Sequence, residues 1–148
     1  MAGTILCGVT DTDDGRAAAQ MALALSTRLG LRLVLVHVVD GLPRSAFGSA
    51  AAREREAAGE RLLETLGEDS PVDVETRLVL GDAVHGLANV AAEEGADLVV
   101  VGARSGGPRN RRLVPRLARE LPAATPVPVV VAPPSTRKRS DQRLGAPV

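Results

Sequence analysis

Two short stretches of this sequence place chemically capable residues at the end of an apolar run. One is Thr10-Asp11-Thr12-Asp13-Asp14-Gly15, after the run at residues 5–9. The other starts at Gly102, after Leu98-Val99-Val100-Val101. It continues through Arg104, Ser105, Gly106, Gly107, Arg109, Arg111 and Arg112 to Pro115-Arg116-Leu117. A glycine-rich loop between an apolar strand and a helix start is the geometry of an anion or nucleotide site, because helix N–H groups and bare backbone face the ligand. The arginines offer a second route, in which guanidinium forks recruit the anion. The plainer reading of them, a solvated basic loop, is preferred.

Other reactive residues point to less. Cys7 and His37 sit in the middle of apolar runs, where a nucleophile pair would be buried away from any crevice, so both read as core residues. His85 falls near a helix start on a solvated face. One cysteine and two histidines show no metal-ligand spacing. The acids at residues 11–14 resemble part of a calcium loop, but that loop needs a closing Glu, and Ala22 stands at that position counted from Asp11. An acidic first turn of a helix is the better account. There is no lysine-bearing phosphate loop and no G-x-G-x-x-G after the first apolar run. No Ser/His/Asp set gathers at one place. A non-catalytic protein is expected.

The elements that must position these residues alternate. Strands are expected at residues 5–9, 33–39, 72–78, 98–101 and 127–132. Helices begin at the acidic turn, at Ser49 (running to about Leu66, with Gly67 as the stop), at the cap Asp82, and near Leu117. Gly30 and Gly95 suit the left-handed residue past a helix end. The fold class is therefore α/β: one Rossmann-like three-layer sandwich with a parallel sheet and helices on both faces. Three runs, at 5–9, 33–39 and 98–101, are continuously apolar and belong at the sheet centre. Residues 72–78 alternate with charge, and Pro128 cannot donate to a ladder, so those two strands belong at edges. The strand order 3-2-1-4-5 meets every requirement. It places a topological switch between the first and fourth strands, so a ligand would sit beyond Thr10-Asp11 and Gly102-Ala103-Arg104.

Bulk properties set limits. The chain has 148 residues, 45% apolar and 24% charged, with 18 acids balancing 18 bases. That suits one soluble domain without a global pull toward nucleic acid or membrane. Phe47 is the single aromatic residue, which argues against base stacking. The lone cysteine excludes an internal disulfide, and the first residues lack a signal-peptide pattern, so a cytoplasmic location is expected. Residues 1–134 read as the domain and 135–148 as a disordered basic tail. Arg137, Lys138 and Arg139 in that tail could meet an unidentified acidic protein partner.

Taken together, TILCGV, GRAAAQMAL, LVLVHVV, GDAVHGLANVAAEEGADLVVVGARS and PVPVVVAPP resemble the universal stress protein family over about residues 4–133. The resemblance implies a five-stranded parallel α/β fold in the order already reached. It also implies a homodimer through the last strand, with Val127, Val129 and Val131 at the edge. Family members that bind ATP resemble G-x2-G-x9-G-[S/T] after the fourth strand. Here Gly102 keeps the first glycine, while Ser105, Pro115 and Arg116 occupy the other three positions. Binders also carry an aspartate after the first strand. Thr10 aligns there, with Asp11 one place late. Proline removes an N–H from the helix start, and arginine replaces a small hydroxyl with a long cation. The resemblance therefore implies a non-catalytic stress-response protein with an eroded nucleotide site and no cofactor. The alternative is an ATP- or AMP-binding regulator, with Mg, using the arginine loop. A retained site would use Thr10, Asp11, Val38 and Gly102 on one side and Arg104, Ser105, Arg116 and Leu117 on the other.

Overall fold

In the computed structural model, residues 3–68, 70, 73–103 and 116–133 are described. Among these described residues five strands and four helices alternate: β1 Thr4–Gly8, α1 Asp13–Leu29, β2 Arg32–Val39, α2 Ala50–Glu68, β3 Val74–Leu80, α3 Ala83–Glu93, β4 Leu98–Val101, α4 Arg116–Ala124 and β5 Val129–Val131. A single 3₁₀ turn, Arg44–Ala46, lies between β2 and α2. The sheet is parallel throughout, in the order β3-β2-β1-β4-β5. The continuously apolar strands take the centre, as expected.

Strand alternation divides the apolar residues between two layers. Ile5, Cys7, Leu33, Leu35 and Val100 face α1 and α2, meeting Ala18, Ala22, Leu62 and Leu63. Leu6, Val34, Val36, Val99 and Val101 face α3 and α4, meeting Val84, Leu87, Val90 and Leu121. The core is aliphatic, and small alanines on α1 let that helix lie close to the sheet.

Helix ends follow local chemistry. Thr12 caps α1 by accepting from the Gly15 N–H at 3.0 Å, and Gly30 closes it at φ 67°. Ser49 accepts from the Ala52 N–H at 3.1 Å at the start of α2. That helix runs through Gly67 to Glu68, past the stop expected from the sequence. Gly67 has no positive φ, and one glycine near a helix end costs only about 1 kcal/mol, too little to end it against tertiary packing. Gly95, at φ 61°, follows α3.

β1 and β2 each start one residue earlier than expected, and β1 also ends one residue earlier, while the limits of β3 and β5 differ more. β3 starts later, at Val74, and continues to Leu80, because its partner β2 pairs with it from Leu33↔Val74 to Val39↔Leu80. β5 starts at Val129, so Val127 and Pro128 precede it. The Pro128 carbonyl accepts from the Val99 N–H at 2.9 Å, so the proline joins the ladder only through the group it still has.

At the N-terminal end of the sheet, Glu94 bridges Arg32 at 2.7 Å and Arg77 at 2.9 Å, while Glu75 and Glu93 take their other nitrogens. This network ties the end of α3 to β2 and β3, away from the crevice. Among the described residues no helix is long and apolar enough to cross a membrane.

Candidate functional site

At the C-terminal end of the sheet the chain leaves β1 toward α1 on one face. After β3 it crosses to α3 on the other. The crevice between β1 and β4 holds a small cleft of about 50 Å³. Its lining is mostly apolar: Gly8, Val9 and Thr10 from β1 and the residues after it, Val36 and Val38 from β2, Ala83 and Leu87 from α3, Gly102 after β4, and Leu117 from α4. Four residues expected at a site from the sequence, Thr10, Val38, Gly102 and Leu117, are thus brought together. The cleft is far below the roughly 300–1,000 Å³ of ordinary ligand pockets. Arg104, Ser105, Arg109, Arg111, Arg112 and Pro115 lie outside the described residues, as does the tail from residue 134.

The retained glycine has a packing reason. A Cβ at Gly102 would stand 3.0 Å from the carbonyl oxygen of Asp14, in the first turn of α1. Glycine there lets α1 approach the end of β4, with or without a phosphate. Thr10 is also engaged: its hydroxyl lies 2.8 Å from that of the capping residue Thr12. Asp11 turns outward and pairs with Arg16 at 2.7 Å, with its side chain 72% exposed.

Arg116 is the chain neighbour of the cleft-lining Leu117, and its guanidinium faces three carboxylates from separate parts of the chain. Nη2 donates to Asp82 at 2.6 Å, Nε donates to Glu120 at 2.5 Å, and Nη1 stands 3.9 Å from Asp40. Asp40 follows β2, Asp82 caps α3 and Glu120 lies one turn along α4. The Asp82 carboxylate accepts from the His85 N–H at 3.0 Å, and His85 Nδ1 lies 2.7 Å away. The His85 N–H, then the Arg116 guanidinium, hold the Asp82 carboxyl down at about 2. The same partners, Asp82 and then Glu120, raise the Arg116 pKa above its ordinary value. Within this cluster of described residues one guanidinium faces three carboxylates, so the cluster itself carries surplus negative charge.

A second, more open groove of about 610 Å³ adjoins this cluster, lined by Gly41, Pro43, Arg44, Phe47 and Leu80 together with Asp40 and Asp82. The sequence reading missed both the groove and the acids that share its wall. A signal existed: Asp40 and Asp82 both follow strand ends, and in a parallel sheet those ends meet at one crevice.

Cys7 and His37 do not form a nucleophile pair. Cys7 is fully buried, and burial pushes its thiol up to about 12. His37 Nδ1 donates to the Val9 carbonyl at 2.9 Å, an acceptor that fixes its tautomer. His85 is exposed on the first turn of α3, as expected. Among the described residues no cluster of three or more His, Cys, Asp or Glu could hold a metal ion.

Comparison with known proteins agrees with this architecture. Residues 1–133 match the universal stress protein family. The chain is 27% identical over 132 residues to the universal stress protein in the QAH/OAS sulfhydrylase 3′ region of Thermus aquaticus, covering 86% of this chain and 96% of that protein. Among solved structures, universal stress protein UspA from Lactobacillus plantarum superposes with TM-score 0.70 at 21% identity, covering 88% of this chain and 97% of that one. The universal stress protein from Archaeoglobus fulgidus in complex with dAMP superposes with TM-score 0.66 at 14% identity, covering 90% and 98%.

Proposed function

This chain belongs to the universal stress protein family, and we propose that it is a non-catalytic stress-response or regulatory protein whose nucleotide site has lost its phosphate end. The observation that carries this reading is the Arg116 cluster. The residue at the family's hydroxyl position donates to Asp82 and Glu120 and stands beside Asp40. A phosphate arriving there would meet carboxylates whose charge exceeds that of the guanidinium, so the approach is repulsive. The small apolar cleft and the absence of a paired nucleophile and base among the described residues support a binding role without chemistry. Native mass spectrometry of freshly purified protein tests the proposal. No adenine nucleotide is expected, and ATP or AMP retained near one per chain would overturn it.

A second reading is favoured by the position of the cleft and by the fold relative solved with dAMP. In it, an adenine ring enters between Val38 and Leu117, and arginines hold the phosphates. It predicts a thermal shift with Mg-ATP that weakens in Arg116→Ala. No shift at millimolar nucleotide dismisses it.

The same proposal includes a homodimer through β5. That strand ends the sheet, and Val131 on it is 42% exposed, while Val127 and Val129 pack partly against the α3–α4 side of the core. An exposed apolar edge favours pairing with a second copy. A monomer by light scattering at micromolar concentration removes this part of the proposal.

A further inference from the structure

We propose that the Arg116 ion pairs are a latch that keeps the crevice closed to anions, and that releasing Arg116 gives the crevice affinity for a nucleoside monophosphate. The inference rests on the reading above, that the phosphate end of the site is lost in the native chain.

Position is the first argument. Ala83 and Leu117 line the apolar cleft, and each is the chain neighbour of a latch residue, Asp82 or Arg116. Asp40 and Asp82 line the larger groove on the other side. The latch therefore stands beside both the apolar cleft and the open groove. A ligand with a planar ring in the first and an anionic group toward the second would bring that group close to Arg116 and its carboxylates.

Charge is the second argument. Arg116 has a carboxylate near Nε, Nη1 and Nη2, so an incoming anion finds the guanidinium already compensated. Removing one carboxylate both lowers the repulsion and frees part of the donor fork, which suits the bidentate geometry of a phosphate.

The third argument is weakness. The four side chains are 31–48% exposed. Exposed ion pairs contribute only about 0–1 kcal/mol each, so the closed arrangement is a bias that one substitution can reverse. A latch of this strength blocks weak anion binding without being needed for the fold.

The experiment is calorimetric titration of AMP into five proteins at low and high salt: wild type, Asp82→Asn, Asp40→Asn with Glu120→Gln, and each of these two variants with Arg116→Gln added. Asparagine caps a helix about as well as aspartate, so the start of α3 survives the first change; the second keeps the Asp82 cap, and the new amide oxygen at position 40 can still accept from the Ala83 N–H that Asp40 holds at 3.3 Å. Wild type is expected to show no binding. Both charge-removed variants are expected to bind AMP at least about tenfold more tightly than wild type, which corresponds to about 1.4 kcal/mol. High salt should weaken that gain, and Arg116→Gln should abolish it. If wild type does not bind and neither variant gains affinity, or if the gain survives Arg116→Gln, the latch is overturned and the eroded-site reading stands. If wild type itself binds AMP at micromolar concentration, the crevice is not closed and both readings are overturned.

Discussion

Gly59→Ala and Gly67→Ala are the same substitution in the same helix, and they should change stability in opposite directions. At Gly59 a Cβ would lie 2.5 Å from Cδ2 of His37 and 2.8 Å from Cδ1 of Leu78. Leu78 can shift a methyl group. His37 cannot withdraw its ring without losing the 2.9 Å hydrogen bond to Val9. Alanine gains about 1 kcal/mol of helix propensity over glycine. Against that stand about 1–3 kcal/mol of overpacking and about 1 kcal/mol for the weakened hydrogen bond. The net cost is about 1–3 kcal/mol for Gly59→Ala. At Gly67 nothing lies within 4 Å of the new Cβ and φ is not positive, so only the propensity gain remains, reduced by its place one residue from the helix end. About 2–4 °C in Tm per kcal/mol applies to a chain of this size. Differential scanning calorimetry should therefore place Gly59→Ala roughly 2–12 °C below wild type and Gly67→Ala roughly 1–3 °C above it. A Tm for Gly59→Ala at or above wild type would refute the reasoning, because α2 would then stand farther from β2 than the contact requires.

Three further outcomes follow from burial and charge. Leu121, fully buried and the single fully buried side chain of α4, should cost about 2–5 kcal/mol on Leu121→Ala, read from urea midpoints. Cys7, held protonated up to about 12 by burial, should resist a disulfide reagent at pH 8 in the native protein and react at once in denaturant. Asp82 falls from an ordinary 3.8 to about 2, so its contribution is fully present above about 4 and is lost as pH drops through about 2. The stability difference between wild type and Asp82→Asn should therefore shrink across that window; because the carboxylate is partly exposed, the difference is small and a constant value from pH 5 to 2 would contradict the assignment.

The sheet order was legible because it depends on a property visible strand by strand. Continuous apolar runs at β1, β2 and β4 need cover on both faces, whereas β3 carries Glu75 and Arg77 and can stand only at an edge. The caps at Asp82 and Gly30 were legible for a similar reason, since each is a local preference that nothing overrides. The limits of β3 and β5 were not. Alternation runs evenly from residue 72 to Leu78 and stops there, and only the register with β2 selects where pairing begins and ends. Gly67 failed as a stop because a preference of about 1 kcal/mol yields to the packing of the helix that contains it. At the site, the sequence located the crevice and most of the cleft wall. It could not see which acids surround Arg116, because they come from the ends of β2 and β3 and from α4, up to 76 positions away along the chain.

Those acids change what the altered motif means. Gly102 survives where the family pattern has its first glycine, yet α1 needs a glycine there to bring the Asp14 carbonyl within 3.0 Å of where a Cβ would be. Its presence is therefore no sign of a phosphate. Arg116, in contrast, is a cation where the ATP-binding pattern that this sequence resembles would have a hydroxyl, and at first suggests a stronger anion site. Its counter-charges reverse that inference: Asp82 and Glu120 take its donors, and Asp40 adds a third negative charge at the mouth. A cation whose field is cancelled inside the protein does not attract a phosphate from solution, however exposed it is. Among the described residues around Arg116 the charge is a sum over four side chains brought together from separate places in the chain, and that sum is negative.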